Sequence, residues 1–187
     1  MDTKENPVKL KLDLHTHVWE AFNFVPPSVE IAEKVVTQIK SKGIDGIGIT
    51  DHHNKEWAFE FRELVEKHFP GQVHILPGWE IEIRPEANPF AEYQVAELFL
   101  PGGGVFRTYC HPGYYSPEIL IEPDIHAIEI DNYIHNWHIR KDQVAEIASD
   151  HDLMLLEVSD AHNLENIGLR YTEVELDDLY ARAVPQA

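Results

Sequence analysis

The chain has 187 residues, and its 15 Lys and Arg against 33 Asp and Glu give a formal net charge of −18 with histidine neutral. Such a charge speaks against binding nucleic acid through a basic surface. With 43% hydrophobic and 26% charged residues, the composition is that of an ordinary globular protein, and the length predicts a single domain over residues 1–187.

Short apolar strands alternate with amphipathic helices along the chain, which is the pattern of an α/β protein with mostly parallel strands. The first strand alternates from Val8 to Leu14 and runs into His15. Further strands are predicted at 44–50, 73–83, 105–110, 126–132 and 153–158, and helices at about 27–43, 55–68 and 139–149. The stretch 91–100 satisfies neither the helical nor the strand period, so it stays open between the two.

The distinctive polar residues fall at or just beyond the ends of these strands. They are His15, His17, Asp51, His52, His111, Asp160 and His162. In parallel α/β sheets and barrels the carboxyl ends of the strands lie on one face, where binding sites are built. We therefore expect residues that are far apart in sequence to meet in one pocket.

Potential metal ligands recur at these strand ends. His15 and His17 lie two residues apart, so both imidazoles can face one side and bind a cation. This spacing alone is a weak signal, because such pairs are more often merely hydrogen-bonded. Similar combinations follow at Asp51-His52-His53, Gly78-Trp79-Glu80, Cys110-His111 and Ser159-Asp160-Ala161-His162. Together they strongly predict a metal site.

The ordered series resembles the polymerase and histidinol phosphatase (PHP) domain family of metal-dependent phosphoesterases. The matching segments are His15-Thr16-His17, Gly48-Ile49-Thr50-Asp51-His52, Pro77-Gly78-Trp79-Glu80-Ile81, His111-Pro112, Ile128-Glu129-Ile130-Asp131-Asn132 and Ser159-Asp160-Ala161-His162. They cover about residues 9–170. Each segment is loose by itself, but six in the same order are specific.

The resemblance implies a distorted seven-stranded β/α barrel that carries one to three divalent cations at the carboxyl ends of its strands. The implied ligands are His15, His17, His52, Glu80, His111, Asp160 and His162, with Glu80 as the bridge between cations. Asn132 is a weaker candidate, better suited to orienting a ligand. Asp51 is expected to hold an imidazole in place, and Asp51 and His53 are the candidates for the acid that protonates the leaving group.

The chain departs from the family pattern in two places. Many hydrolytic members follow the first histidine pair with Ser-Asp-Gly, whose Asp is a ligand, whereas residues 18–23 read Val-Trp-Glu-Ala-Phe-Asn here. Glu20 is the candidate substitute. The chain is also short for the family, which predicts that a substrate-covering insertion is missing and that the barrel is trimmed around residues 85–101.

The chemistry expected of this ligand set is phosphate ester hydrolysis. Nitrogen and oxygen ligands without thiolate suit zinc, manganese or iron, and two close cations activate a water and hold both oxygens of an in-line displacement. We expect hydrolysis of a small phosphorylated metabolite or nucleotide by a metal-bound hydroxide. Arg107, Arg140 and Arg170 are the candidates for binding its phosphate, and the acidic surface disfavours long nucleic acids.

Two alternatives stay open. The altered segment after His17 would permit a PHP module that binds metal without turnover and has a structural or interaction role. The same metal chemistry would also permit hydrolysis of a non-phosphate bond. The oligomeric state is not predicted.

The remaining features favour structural interpretations. The single cysteine, Cys110, excludes an intramolecular disulfide framework and reads as a buried strand thiol. Residues 1–7 do not resemble a signal peptide and no apolar run could span a bilayer, so a cytoplasmic protein without a membrane partner is expected. The other histidines are expected at the surface or in hydrogen-bonded core positions: His53, His68, His74, His126, His135, His138 and His151. Among them, His53 and His138 are the ones to test as ligands.

Overall fold

The computed structural model describes residues 8–185, which form a mixed α/β fold around one sheet. The strands are β1 (Lys9–Thr16), β2 (Gly46–Ile49), β3 (His74–Ile83), β4 (Tyr93–Leu100), β5 (Gly104–Tyr109), β6 (Ala127–Asn132), β7 (Met154–Val158), β8 (Thr172–Glu175) and β9 (Val184–Pro185). The helices are α1 (Val18–Ala21), α2 (Val29–Lys42), α3 (Lys55–His68), α4 (Lys141–Asp150) and α5 (Leu176–Arg182), with a 3₁₀ turn at Leu164–Asn166.

The sheet is barrel-like and nearly closed. Its order is β7-β6-β5-β4-β3-β2-β1-β8, with β9 paired to β5. β1, β2, β3, β5, β6 and β7 run in one direction, and β4, β8 and β9 run in the other. Beyond β7 the chain returns to the end of β1, where the Asp160 N–H donates to the His15 carbonyl at 2.9 Å and the His17 N–H donates to the Ala161 carbonyl at 2.8 Å. These bonds tie the two margins of the sheet together.

The predicted number of seven strands is wrong, because residues 8–185 contribute nine strands to the sheet. β8 adds four residues antiparallel to β1, and β9 adds two residues to β5. Additions this short carry too little periodicity to be recognised from sequence. The open stretch 91–100 contains β4, which lies antiparallel between β3 and β5. All eight residues of β4 are buried, which removes the alternation that would mark a strand.

Local sequence explains where the longer helices begin and end. The Ser28 hydroxyl accepts a hydrogen bond from the Ile31 N–H at 3.3 Å and caps α2, while Gly43 ends it in the left-handed conformation at φ 67°. The Asn54 side chain caps α3 in the same way, accepting from the Trp57 N–H at 3.2 Å. No helix among residues 8–185 has the length and apolar character needed to cross a membrane.

Three apolar clusters hold the sheet in this shape, and one of them packs α4 against β5 and β6 through residues that include Tyr109, Ile128 and Val144. An inner cluster draws residues from strands on all sides and fills the inside of the curved sheet; it includes Leu14, Leu76, Leu98, Phe106 and Leu156. An outer cluster packs α2 and α3 against the other face of β2 and its neighbours; it includes Val35, Ile39, Ile47, Ile49 and Phe61. Because the inner space is filled with side chains, a polar site is left at the ends of the strands rather than inside the barrel.

We predict that Gly46→Ala destabilises the fold by about 1–3 kcal/mol, the usual cost of overpacking. A Cβ at residue 46 would lie 2.2 Å from the backbone oxygen of His74 on the neighbouring strand, so β2 and β3 would have to separate. The matched control is Gly104→Ala, whose Cβ would meet only the Ala183 methyl group at 3.1 Å. Urea unfolding of both variants measures the difference, and equal stabilities would contradict this account of the β2–β3 contact.

Candidate metal centre

Side chains from the ends of several strands converge on the Glu80 carboxylate. The Nε2 atoms of His15, His17, His52 and His111 lie 3.6, 3.6, 3.4 and 3.2 Å from its nearest oxygens. Asp160 joins them, with its Oδ1 3.2 Å from His17 Nε2 and 3.5 Å from His15 Nε2. His162 is held against this group by its ring, which stacks on His17 with centroids 4.0 Å apart. The structure thus brings together all seven residues that the family resemblance implies as ligands.

Three overlapping groups of these side chains have ligand atoms within 4.8 Å of one another. They are His17, Glu20, His52 and His162; His15, His17 and Asp160; and His15, Glu80 and Cys110. Burial raises the pKa of the Cys110 thiol well above its usual value, which makes a thiolate ligand unfavourable. The first two groups therefore offer the better sites for a divalent cation.

Glu20 reaches its group because α1 begins directly after His17. Its carboxylate lies 3.5 Å from His17 Nδ1 and 3.8 Å from His162 Nε2. The Asp51 carboxylate fixes the start of this helix, accepting hydrogen bonds from the backbone N–H groups of Trp19 and Glu20, both at 3.0 Å. The structure therefore places the Glu20 carboxylate beside His17 and His162, and its role as a ligand stays a prediction.

Irregular strand geometry aims the side chains inward. Between Asp13 and Thr16, β1 advances three residues while β2 advances two, from Ile47 to Ile49. β6 likewise advances from Glu129 to Asp131 while β7 advances by one residue. Extra residues of this kind are β-bulges, which redirect side chains near functional sites. They allow both Glu129 and Asn132, three residues apart, to point into the centre.

Two candidate ligands lie at strained backbone positions. His111 follows β5 with φ 27°, and Asp160 follows β7 with φ 52°. Positive φ is uncommon for residues other than glycine, and such conformations cost about 1–3 kcal/mol where they persist. They persist where the surroundings hold them in place, and here both residues are buried among the other candidate ligands.

Hydrogen bonds at the rear of two imidazoles determine which nitrogen faces the centre. Nδ1 of His15 lies 2.7 Å from Glu129 Oε1, and Nδ1 of His162 lies 2.9 Å from the Asp160 carbonyl oxygen. Both partners are hydrogen-bond acceptors, so Nδ1 of each ring donates and Nε2 faces the cluster. This is the arrangement that proteins use to orient metal-bound histidine.

The buried carboxylates of the centre are stabilised by nearby positive charge. Burial would raise the pKa of Glu80, but His15 and His111 outweigh it and hold that pKa well below its usual value. Burial likewise opposes ionisation of Asp160, and again the neighbouring imidazoles lower its pKa. Burial lowers the pKa of His17, but Asp160, Glu20 and Glu80 together raise it to about 9. Among residues 8–185, no Lys or Arg forms an ion pair with Glu80 or Asp160.

The donor set fits a divalent transition metal. With Nδ1 of His15 donating to Glu129, its Nε2 faces His17 Nε2 at 3.0 Å. Buried lone pairs this close repel unless a proton or a cation lies between them. Nitrogen and carboxylate donors of this kind are the preferred ligands of zinc, manganese and iron, and the geometry does not select among them.

The two candidates for the leaving-group acid lie at different places. Asp51 is buried behind α1, and burial raises its pKa to about 6 despite the two backbone N–H groups that it accepts. Its hydrogen bonds go to backbone, whereas the sequence predicts that it orients an imidazole. His53 is exposed with φ 60°, and its ring lies 5.9 Å from that of His52. Their role as acids stays a prediction.

The three candidate arginines are not brought into the ligand cluster. Arg107 forms ion pairs with Glu97 and Asp124, and Arg170 pairs with Asp131 at 3.1 Å. Arg140 lies at the start of α4, where it lines a pocket beside His111. Phosphate binding by these residues stays a prediction.

Sequence reasoning missed two residues of the centre. Glu129 is fully buried and accepts hydrogen bonds from the His15 ring, the His111 backbone N–H at 2.6 Å and the Asn132 amide at 2.9 Å. Its place in the matched segment 128–132 is the signal that could have found it. His135 lies with Nε2 3.7 Å from Asp160 Oδ2; it belongs to a loop beyond the segment, where the sequence carries no comparable signal.

Comparisons with known proteins bear on the fold. The chain matches no protein-family model and none of the curated proteins. A provisionally assigned metal-dependent phosphoesterase of Bifidobacterium adolescentis has a similar structure, with a TM-score of 0.70 and 13% identity over 96% of this chain and 98% of that one. PsfC of Pseudomonas syringae is similar with a TM-score of 0.59 and 15% identity over 86% and 79%. At these identities the likeness shows a shared fold.

We predict that Glu129→Gln weakens metal binding by roughly 10–100-fold, the usual effect of losing a group that orients a ligand. An amide has one acceptor oxygen, so it cannot serve His15, the His111 N–H and Asn132 together. The control is Glu157→Gln, an exposed carboxylate on β7. Titration with Zn²⁺ or Mn²⁺ measures affinity, and thermal unfolding shows that the variants are folded. A folded Glu129→Gln protein with unchanged affinity would contradict this role.

Proposed function

We propose that this protein is a metal-dependent phosphoesterase of the PHP type that hydrolyses a small phosphorylated metabolite or nucleotide. The observation that carries the proposal is the convergence of four imidazole Nε2 atoms on the buried Glu80 carboxylate. The likeness to the Bifidobacterium phosphoesterase supports it through the shared fold. The charge of −18 favours a small substrate over a long polyanion.

Divalent metal ions would supply an activated water and neutralise the phosphate charge. The residues that would hold them are His15, His17, His52, His162, Glu20, Glu80, His111 and Asp160. The other residues of the protein hold the imidazole rings in position. Glu129 holds the His15 ring, and the Asp160 carbonyl holds the proton on Nδ1 of His162. The side chains of His52 and His162 are 28% and 39% exposed, whereas those of His15, His17 and Glu80 are 2% exposed or less. Substrate therefore approaches from the side of His52 and His162.

A covalent mechanism through the cysteine is disfavoured. The Cys110 thiol is buried, and its raised pKa keeps it protonated near neutral pH. A protonated thiol is a poor nucleophile. The hydrolytic water is therefore the better nucleophile in this proposal, and Zn, Mn or Fe are the candidate metals.

We predict that the protein loaded with Mn²⁺ or Zn²⁺ releases phosphate from members of a panel of small phosphate esters, and that His15→Ala lowers the rate by at least about 100-fold, because it removes a buried ligand that two candidate groups share. The control is His151→Ala, an exposed histidine at the end of α4. Phosphate release is measured colorimetrically.

The outcomes separate the proposal from its alternatives. Bound metal with no phosphate release from any ester would favour a metal-binding module without turnover. Metal-dependent cleavage of amides or carboxylic esters alone would favour a hydrolase of another class. Equal rates for His15→Ala and wild type would contradict the assignment of the centre.

A further inference from the structure

A pocket of about 260 Å³ lies beside the candidate metal centre and contains none of the seven ligands that the family resemblance implies. It forms between the loop that follows β5 and the loop that leads into α4, with Pro112, Ile119 and Ile139 in its walls. The two loops pack closely, because a Cβ on Gly113 would lie 3.0 Å from the His138 carbonyl oxygen. Ligand pockets measure roughly 300–1,000 Å³, so this volume suits a small organic group.

Aromatic side chains connect the pocket with the centre. Pro112 and Gly113 directly follow His111 in the chain. The Tyr114 ring lies 5.3 Å from the His111 ring and 4.8 Å from the His138 ring, measured between centroids. His138 lines the pocket. One tyrosine ring therefore separates the pocket from a candidate metal ligand, and a substrate held at the centre has the pocket as its neighbour.

The pocket holds an arginine with no acidic partner. The other arginines each pair with a carboxylate: Arg62 with Glu66, Arg84 with Glu92, Arg107 with Glu97 and Asp124, Arg170 with Asp131, and Arg182 with Asp152. Arg140 forms no ion pair within residues 8–185. In a protein with twice as many acidic as basic residues, an unpaired arginine stands out, and it lies at the pocket.

Further polar groups accompany Arg140. His138 and Gln143 line the same pocket, and no Asp or Glu side chain is among its described lining residues. The His138 Nε2 atom is buried and has no hydrogen-bond partner. An unpartnered buried nitrogen costs about 1–3 kcal/mol, and a rotation of the His138 ring toward the pocket would let a bound ligand recover this cost. The pocket is thus equipped for an anion.

We propose that Arg140, with His138 and Gln143, binds a second anionic group of the substrate, one carried by the alcohol part of the ester. Preferred substrates are then small phosphate esters whose alcohol part bears a carboxylate or a second phosphate. The inference rests on the proposed phosphoesterase function, because it assigns the pocket to the same substrate. Guanidinium groups bind carboxylate and phosphate through two parallel hydrogen bonds.

The test uses pairs of esters that differ in the second anionic group. O-phosphoserine is compared with O-phosphoethanolamine, and phosphoglycolate with ethyl phosphate, while ethylene glycol bisphosphate provides the arm with a second phosphate. We expect the metal-loaded wild type to prefer the anionic member by about tenfold or more in kcat/KM, the effect of one charged hydrogen bond. The larger preference shows whether carboxylate or phosphate fits the pocket.

Variants of Arg140 assign the preference to the pocket. Arg140→Gln should abolish the preference, because kcat/KM falls by about tenfold more for the anionic ester than for its uncharged counterpart, and Arg140→Lys should keep part of it, since a lysine retains the charge without the paired donors. The control is Arg84→Gln, which alters an exposed arginine that pairs with Glu92 and does not line the pocket. Equal kcat/KM values of the wild type for the two esters of each pair would overturn the inference. So would an equal loss of kcat/KM for both esters of a pair in Arg140→Gln.

A measurement of ligand binding tests the pocket independently of the proposed phosphoesterase activity. If no ester is hydrolysed, the phosphoesterase proposal fails, yet calorimetry with phosphoglycolate and ethyl phosphate still examines the pocket. Tighter binding of phosphoglycolate to wild type, lost in Arg140→Gln, would support an anion site. Equal affinities for the two compounds would overturn it.

Discussion

The arrangement of the candidate metal centre depends on two buried carboxylates. Glu80 and Asp160 are 3% and 2% exposed, and both are held in the ionised form by the imidazoles around them. A buried charge is costly unless it is paired or bound to a metal. Their ion-pair partners within residues 8–185 are histidines alone. The centre is therefore built to share positive charge, which divalent cations supply more fully than protons do.

The fold delivers these groups by bringing the margins of the sheet together. The backbone bonds between the end of β1 and the segment after β7 fix His15 and His17 against Asp160. Asp13 strengthens this closure, since its carboxylate accepts hydrogen bonds from the Ser159 backbone and from the Gly168 N–H. The bulges in β1 and β6 then turn side chains inward. The closure and the bulges explain why residues more than 140 positions apart share one centre.

The sequence predicts well which side chains converge, because strand ends in an α/β protein meet on one face and the histidines at residues 15, 52 and 111 stand at such ends. It predicts less about what holds them. Glu129 looks like any strand glutamate until the bulge in β6 directs it to His15. His135 reaches Asp160 from a loop whose path has no periodic signal. The predicted number of strands was wrong because β8 and β9 are very short. β4 was not assigned because burial on both faces removes the alternation of apolar and polar residues that marks a strand.

The most direct test of the central claim is the metal content of the purified protein, prepared without chelator and measured by elemental analysis. The account predicts at least one tightly bound equivalent of Zn, Mn or Fe per chain, because a divalent cation balances the charge of the buried carboxylates more fully than the protons that the facing imidazoles otherwise share. Metal well below one equivalent, with no uptake of added Mn²⁺ or Zn²⁺, would contradict it.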